Sequence, residues 1–272
     1  MDNNLIFDIG FHLGEDTRYY LHRGYRVIAV DAAPELIRKG HEAFGKEIAA
    51  GQLLLLENMI AEHNASEAAF YLSPNSQWNS AHKEIAERHG TQSEKIVVPA
   101  ITLQRLMEIY DVPFYCKIDI EGNDIQALRS LHAQKELPRY ISVETECLAD
   151  NSDAAESTFD TLDTLHALGY RRFKLVDQQT FSVLSEETFY GNTGIDPWHT
   201  NREYAAKLLN LMDEQALFSE FFSGSGPFGE DLAGEWYDIE TARRLISFHS
   251  SQQRKLGYDV WSFWCDWHAT TE

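Results

Sequence analysis

Leu5-Ile6-Phe7-Asp8-Ile9-Gly10-Phe11-His12-Leu13-Gly14-Glu15-Asp16-Thr17 decides how the rest of the chain is read. Leu5, Ile6, Phe7 and Ile9 form a short apolar run of the kind a buried parallel strand needs. Gly10 and Gly14 interrupt it, and a helical pattern follows through Tyr19, Tyr20 and Leu21 to a stop at Gly24. Strand, glycine turn and helix N-terminus in that order make a cradle for a nucleotide-like ligand, because glycines admit close backbone approach and the helix start offers free N–H donors. The spacing is G-x-x-x-G rather than the G-x-G-x-x-G of dinucleotide-binding folds. Taken alone it equally describes a turn that lets strand and helix pack.

The neighbouring segments favour the cradle. Arg26-Val27-Ile28-Ala29-Val30 reads as a second strand ending on Asp31, an acidic residue placed about 20 residues past the glycine loop, where ribose hydroxyls are held. The alternative for Asp31 is a helix cap near Pro34. Ala33 to Phe44 reads as a helix, with Pro34 in its first turn. Leu53 to Glu57 forms a third strand, and Asn58 and Met59 follow it where a nucleotide base would lie, unless they form an ordinary turn with one core methionine. Ala68 to Leu72 and Glu94 to Val98 are β-rich, the polar stretch Ser73 to Ser80 between them is a loop, and Thr102 is a helix N-cap.

Pro113 to Ile120 reads as the fourth core strand, followed by Glu121-Gly122-Asn123-Asp124 and a helix through Leu131. Asp119 and Glu121 leave the carboxyl end of this strand, the edge where ligands bind in open α/β sheets. Carboxylates there take a cationic group, hold a metal or accept a proton, or, for Glu121, merely support a helix start. Arg139 to Glu146 and Gly169 to Val176 read as further strands around an amphipathic helix from Ser157 to Ala167. Strands alternating with helices imply a parallel, doubly wound sheet. From Asp177 to Gly257 the alternation stops in a glycine- and aromatic-rich stretch with helical patches at Arg202 to Leu211 and Ile239 to Phe248. Tyr258 to His268 then reads as a last strand. An insertion of this kind suits a lid, in which His199, beside Trp198, is the candidate base.

Composition narrows the functional classes. The chain has 272 residues, 43% of them apolar, enough for one generous domain with a sizeable core. A formal net charge of -20 argues against phosphate-backbone binding and against docking on anionic lipid. No apolar run approaches the roughly 18 residues of a membrane span, and the N-terminus carries no signal-peptide pattern. The three cysteines, Cys116, Cys147 and Cys265, are widely spaced, which speaks against a zinc site and for a reducing, cytoplasmic location.

With these segments in place the chain resembles the FkbM-type S-adenosylmethionine-dependent methyltransferases. The resemblance rests on Phe7 to Gly14, on Val30-Asp31, and above all on Lys117-Ile118-Asp119-Ile120-Glu121-Gly122-Asn123-Asp124-Ile125, which follows the family's K-x-D-x-E-G-x-[DE] pattern. It implies an α/β, Rossmann-like class I methyltransferase fold: a seven-stranded, mostly parallel sheet with helices on both faces, its last strand antiparallel. A single domain over 1–272 would carry a C-terminal lid insertion at 177–257. The resemblance further implies S-adenosylmethionine as cofactor. Asp8, Gly10 and Gly14 would line its methionine side with His12 in the same loop, Asp31 would hold the ribose, and Asn58 and Met59 would flank the adenine. Asp119 would face the reaction centre. The chain departs from the family at Phe11-His12, where a small residue and Asn are common, and at Asp31, where Glu is common. The expected reaction is O-methylation of a hydroxyl on a small metabolite or sugar, with Asp119, Glu121 or His199 handling the proton and no metal. A divalent ion between Asp119 and Glu144 is the weaker alternative. A nicotinamide-dependent oxidoreductase or epimerase and a non-catalytic nucleotide-binding module are the rival readings. No nucleic-acid or membrane partner is expected.

Overall fold

In the computed structural model, which describes residues 2–146, 152–178, 183, 185, 234–256 and 264–272, the opening apolar run becomes β1 (Asp2–Ile9). Its last five residues are fully buried, as a strand covered on both faces requires. The strands that follow form a seven-stranded, mostly parallel sheet in the order β3-β2-β1-β7-β8-β10-β9, so the expected fold class is the observed one. The chain divides into two compact units, Met1–Arg139 and Tyr140–Glu272.

In the first unit β1 pairs in parallel with β2 (Arg26–Asp31) on one side and β7 (Pro113–Ile118) on the other, and β2 pairs in parallel with β3 (Leu53–Glu57). Helix α1 (Glu15–His22) returns the chain from β1 to β2, and α2 (Pro34–Ala43) with the short α3 (Gly45–Ala49) leads to β3. Proline at the start of α2 loses no bond there, since its N–H would have had no helical partner. A smaller sheet, which sequence periodicity did not announce, joins β4 (Met59–Ile60), β6 (Glu94–Ile101) and β5 (Glu67–Leu72) in that order. It packs Phe70, Val98 and Met59 against Ala32, Ala33 and Leu36. Between β5 and β6 the loop carries the four-residue α4 (Lys83–Ala86). Helix α5 (Leu103–Tyr110) starts where expected, with Thr102 Oγ1 accepting the Arg105 N–H at 3.0 Å. Helix α6 (Asp124–Arg129) follows β7 and ends slightly short of the expected Leu131.

In the second unit β10 (Trp264–Thr270) lies antiparallel between β8 (Tyr140–Glu146) and β9 (Arg172–Asp177). The last strand therefore runs as the resemblance implies but reaches Thr270, beyond the expected His268. Its far end is set by pairing of Thr270 with Tyr140 and Arg172. Helix α7 (Ser152–Leu168) starts earlier than the expected Ser157 and covers the face carrying Trp267, whose Nε1–H donates to Thr158 O at 3.1 Å. Helix α8 (Ile239–Leu256) starts with the second expected helical patch and runs on past its expected end at Phe248. The patch from Arg202 to Leu211 and the candidate base His199 lie outside the described residues, as does most of the expected lid.

Candidate functional site

The glycine loop is built by backbone that most residues avoid. Gly10, His12 and Gly14 have φ of 95°, 50° and 82°. A Cβ on Gly10 would lie 1.8 Å from the carbonyl oxygen of Asp119, so only glycine allows β1 and β7 to deliver their ends to one point. Gly10 and Phe11 both donate to Val30 O, at 2.9 and 3.0 Å, which pins the loop to the end of β2. Phe11 explains the first departure from the family pattern. Its ring is buried under the loop against Phe44, edge-on at 5.8 Å, and burial of such a ring contributes roughly 2–3 kcal/mol. Gly40 on α2 makes room, since a Cβ there would meet the Phe11 ring at 2.7 Å.

Beneath the loop lies a lysine in a strand otherwise made of apolar and aromatic residues. Lys117 Nζ donates to Gly10 O at 2.9 Å and stands 3.3 Å from Asp8 Oδ1, 3.4 Å from Asp16 Oδ2 and 3.9 Å from Asp119 Oδ2. Burial works against its charge, but Asp8, Asp119 and Asp16 outweigh that and hold its pKa well above the usual lysine value. Burial pushes the Asp8 carboxyl up, opposed by Lys117 and by the 2.6 Å bond from Thr17 Oγ1. The structure thus places Asp8 wholly in the interior, where it supports the loop from below. No role for Lys117, Asp16 or Thr17 was read from the sequence. The available signal was a lysine inside the run Pro113 to Ile118, since lysine is almost never fully buried unless paired.

Asp31 ends β2 with both carboxylate oxygens engaged: Oδ2 accepts the His12 N–H at 2.9 Å and Oδ1 accepts the Ala33 N–H at 2.8 Å. Burial raises its pKa against those two hydrogen bonds. Each oxygen keeps a lone pair for a further donor. Asn58, half-buried, donates its N–H to Asp31 O at 3.0 Å, so the expected ribose and adenine residues are neighbours. Met59 is also half-buried and packs partly on the small-sheet core. A loop open to close approach, an adjacent carboxylate and the Asn58–Met59 step fit a nucleoside cofactor.

At the end of β7, Asp119 donates its N–H to Ile9 O at 2.9 Å, and its side chain is 26% exposed. Of the motif's carboxylates, Asp119 and Glu121 are both partly exposed, whereas Asp124 is buried. Glu121 has φ 51° and pairs with Arg88 Nη1 at 3.1 Å, an ion pair it would have to give up to accept a proton. Its carbonyl accepts from Ser80 Oγ at 2.7 Å, so the loop between β5 and β6 covers the motif. Asp124 starts α6 and accepts the N–H groups of Ile120 and Gly122, both at 3.0 Å. Burial, then the Asp119 charge, raises its pKa to about 7. Asn123 Nδ2 donates to Ile60 O at 2.6 Å, tying the motif to β4. Cys116 and Cys265 are buried, and burial pushes the Cys116 thiol up. Among the described residues there is no group of three or more His, Cys, Asp or Glu side chains placed to hold a metal ion.

A parallel sheet with an antiparallel final strand, a glycine loop after the first strand and a carboxylate after the second define the class I methyltransferase fold. The methyltransferase FkbM domain model matches residues 8–172, and the chain belongs to that family. S-adenosylmethionine is accordingly its methyl donor. Among solved structures the chain is similar to StiE O-MT residues 942-1257, with 7% identity over 98% of this chain and 68% of that one and a TM-score of 0.43. It is similar to a SAM-dependent methyltransferase from Geobacter sulfurreducens in complex with S-adenosyl-L-homocysteine, with 10% identity, coverage of 98% and 84%, and a TM-score of 0.39. It is similar also to phosphoethanolamine N-methyltransferase 2 from Haemonchus contortus in complex with S-adenosyl-L-methionine, with 9% identity, coverage of 98% and 48%, and a TM-score of 0.40. At such identities the likeness concerns the fold alone. No curated protein matches the chain.

Proposed function

We propose that the protein O-methylates a hydroxyl on a small metabolite or sugar. The observation that carries this reading is the partly exposed carboxylate of Asp119, set by Gly10 and Lys117 at the mouth of the glycine loop. The bound cofactor supplies an electrophilic methyl on a sulfonium, so the carbon–oxygen bond forms as the carbon–sulfur bond breaks and the electron pair returns to sulfur. Gly10, His12 and Gly14 would form the methionine side of its site, with Asp8 bracing the loop from the interior rather than lining it, Asp31 would hold the ribose, and Asn58 and Met59 would flank the adenine. The chain's task is alignment, exclusion of water and removal of the acceptor proton. Asp119, Glu121 and His199 are the candidates that the sequence offers for that proton, and the reaction takes place in the cytoplasm without a metal. Among the described residues no helix is long and apolar enough to cross a membrane.

Calorimetric titration with S-adenosylmethionine, S-adenosylhomocysteine and NAD tests the cofactor site. Binding of the first two, weakened at least about tenfold in Asp31→Ala by loss of a charge-assisted hydrogen bond, is the expected result. Binding of NAD alone would overturn it. Methyl transfer from labelled S-adenosylmethionine to a panel of sugars and hydroxylated metabolites, unaffected by EDTA, tests the acceptor class. Transfer confined to amines or thiols would replace the O-methylation reading.

A further inference from the structure

His12, the residue that departs from the family pattern, is held at three points. Its N–H donates to Asp31 Oδ2 at 2.9 Å, its Nδ1 lies 3.3 Å from Glu15 Oε1, and its Nε2 lies 3.0 Å from Ser76 Oγ. Glu15 is itself oriented, since its Oε2 accepts the Leu13 N–H at 3.2 Å. Burial pushes the Glu15 carboxyl up, but the hydrogen bond and charge of His12 outweigh that and bring it below the ordinary value. Glu15 is therefore ionised at neutral pH and can only accept. Nδ1 of His12 carries a proton towards Glu15 in either ring state, and in the neutral tautomer, the one that acts in the relay, Nε2 directs a lone pair at the hydroxyl of Ser76. Ser76 is half-buried in the loop between β5 and β6, on the strand-end side where His12 lies. Carboxylate, imidazole and hydroxyl stand in the order that makes a hydroxyl oxygen basic.

We propose that Glu15, His12 and Ser76, in place of Asp119, Glu121 or His199, form the proton relay that serves the acceptor hydroxyl, a role that rests on the O-methylation reading. The acceptor hydroxyl donates to Ser76 Oγ. As its oxygen gains the methyl carbon, its proton passes to Ser76 Oγ and the Ser76 proton passes to His12 Nε2. Glu15 balances the imidazolium, which then returns the proton to solvent. His12 and Ser76 carry the proton, and Glu15 is a positioning residue that sets the tautomer.

The relay can be read without knowing the acceptor, because Ser76 is itself a hydroxyl that it activates. The probe is diisopropyl fluorophosphate on the full-length protein: Ser76 Oγ bonds to phosphorus, fluoride leaves, and the proton goes to His12 Nε2. The expected result is a single labelled peptide containing Ser76, no labelling in Ser76→Ala, and a rate cut by about a hundredfold in Glu15→Gln, within the usual range for general-base catalysis. Glu15→Asp, which keeps the charge, should recover part of that rate. His12→Asn, whose side chain tolerates a positive φ, should also abolish labelling. Absence of labelling, or labelling indifferent to Glu15 and His12, would overturn the relay. Calorimetry with S-adenosylmethionine on the wild type separates the two ideas. Binding without labelling leaves the methyltransferase reading standing and sinks the relay, whereas labelling without binding supports the relay and removes the reaction it was assigned to serve.

Discussion

Replacing Lys117 by methionine keeps the stem of the side chain and removes a cation that stands within 4 Å of Asp8, Asp16 and Asp119 alike. Asp8 and Asp16 are almost wholly buried, so water cannot take over. Breaking a buried ion pair from one side costs about 3–5 kcal/mol, a large share of the roughly 5–15 kcal/mol that holds a domain folded. With a urea m value near 2–3 kcal/mol/M, the unfolding midpoint should fall by about 1–2 M at pH 7. The pH dependence identifies the cause. Burial already raises the Asp8 pKa, and Lys117 opposes that rise. Without the lysine the folded value moves further above the unfolded one. A raised carboxyl penalises the folded state above its unfolded pKa of about 4 and not below it, so the deficit should shrink as pH falls towards 4. Asp8→Asn added to Lys117→Met should recover part of the loss, because a neutral amide needs no counter-charge. A deficit under about 1 kcal/mol, or one that stays constant between pH 7 and pH 4, would refute the claim that Lys117 works as a buried counter-ion.

Gly10→Ala should abolish S-adenosylmethionine binding by calorimetry, since its Cβ meets the Asp119 carbonyl. Gly24→Ala, with φ 87° but nothing within 4 Å, should cost only the ~1–2 kcal/mol of a left-handed residue. Burial, aided by Lys174, pushes His268 down to about 3, and among the described residues neither ring nitrogen has a hydrogen-bond partner. Because the folded value lies below the unfolded one of about 6.5, stability is lost as pH falls through that window, by at most roughly 4–5 kcal/mol. His268→Leu should gain on wild type across it in acid-unfolding titrations, and an unchanged acid slope would count against this. Burial lowers Lys174 to about 8, and its Nζ lies 4.5 Å from the Trp236 ring centre. Its penalty is full below the folded value and relieved as pH rises towards the unfolded value of about 10.4. Lys174→Met should therefore be about 1 kcal/mol more stable at pH 7, after subtracting the lost cation–π contact, and should show no advantage by pH 11.

Local sequence patterns carry the sheet and the residues at its ends. Buried parallel strands read as unbroken apolar runs, and the Gly10 and Gly14 punctuation, Asp31 and the motif from Lys117 to Asp124 are local patterns. The final strand runs on to Thr270, past its expected end at His268, because its far end depends on pairing with Tyr140 and Arg172, which no local pattern records. The small sheet of β4, β6 and β5 was missed as a unit because its strands are mostly half-buried or exposed, leaving weak alternation. Tertiary structure alone decided how charge is distributed in the site. Asp8, Asp16 and Lys117 are up to 109 residues apart in sequence and meet only because β1 and β7 are adjacent. The same holds for His12 and Ser76, and for Glu121 and Arg88. A carboxylate looks identical in sequence whether it faces a lysine in the interior or a ligand at the edge, and its surroundings set its pKa and hence its chemistry.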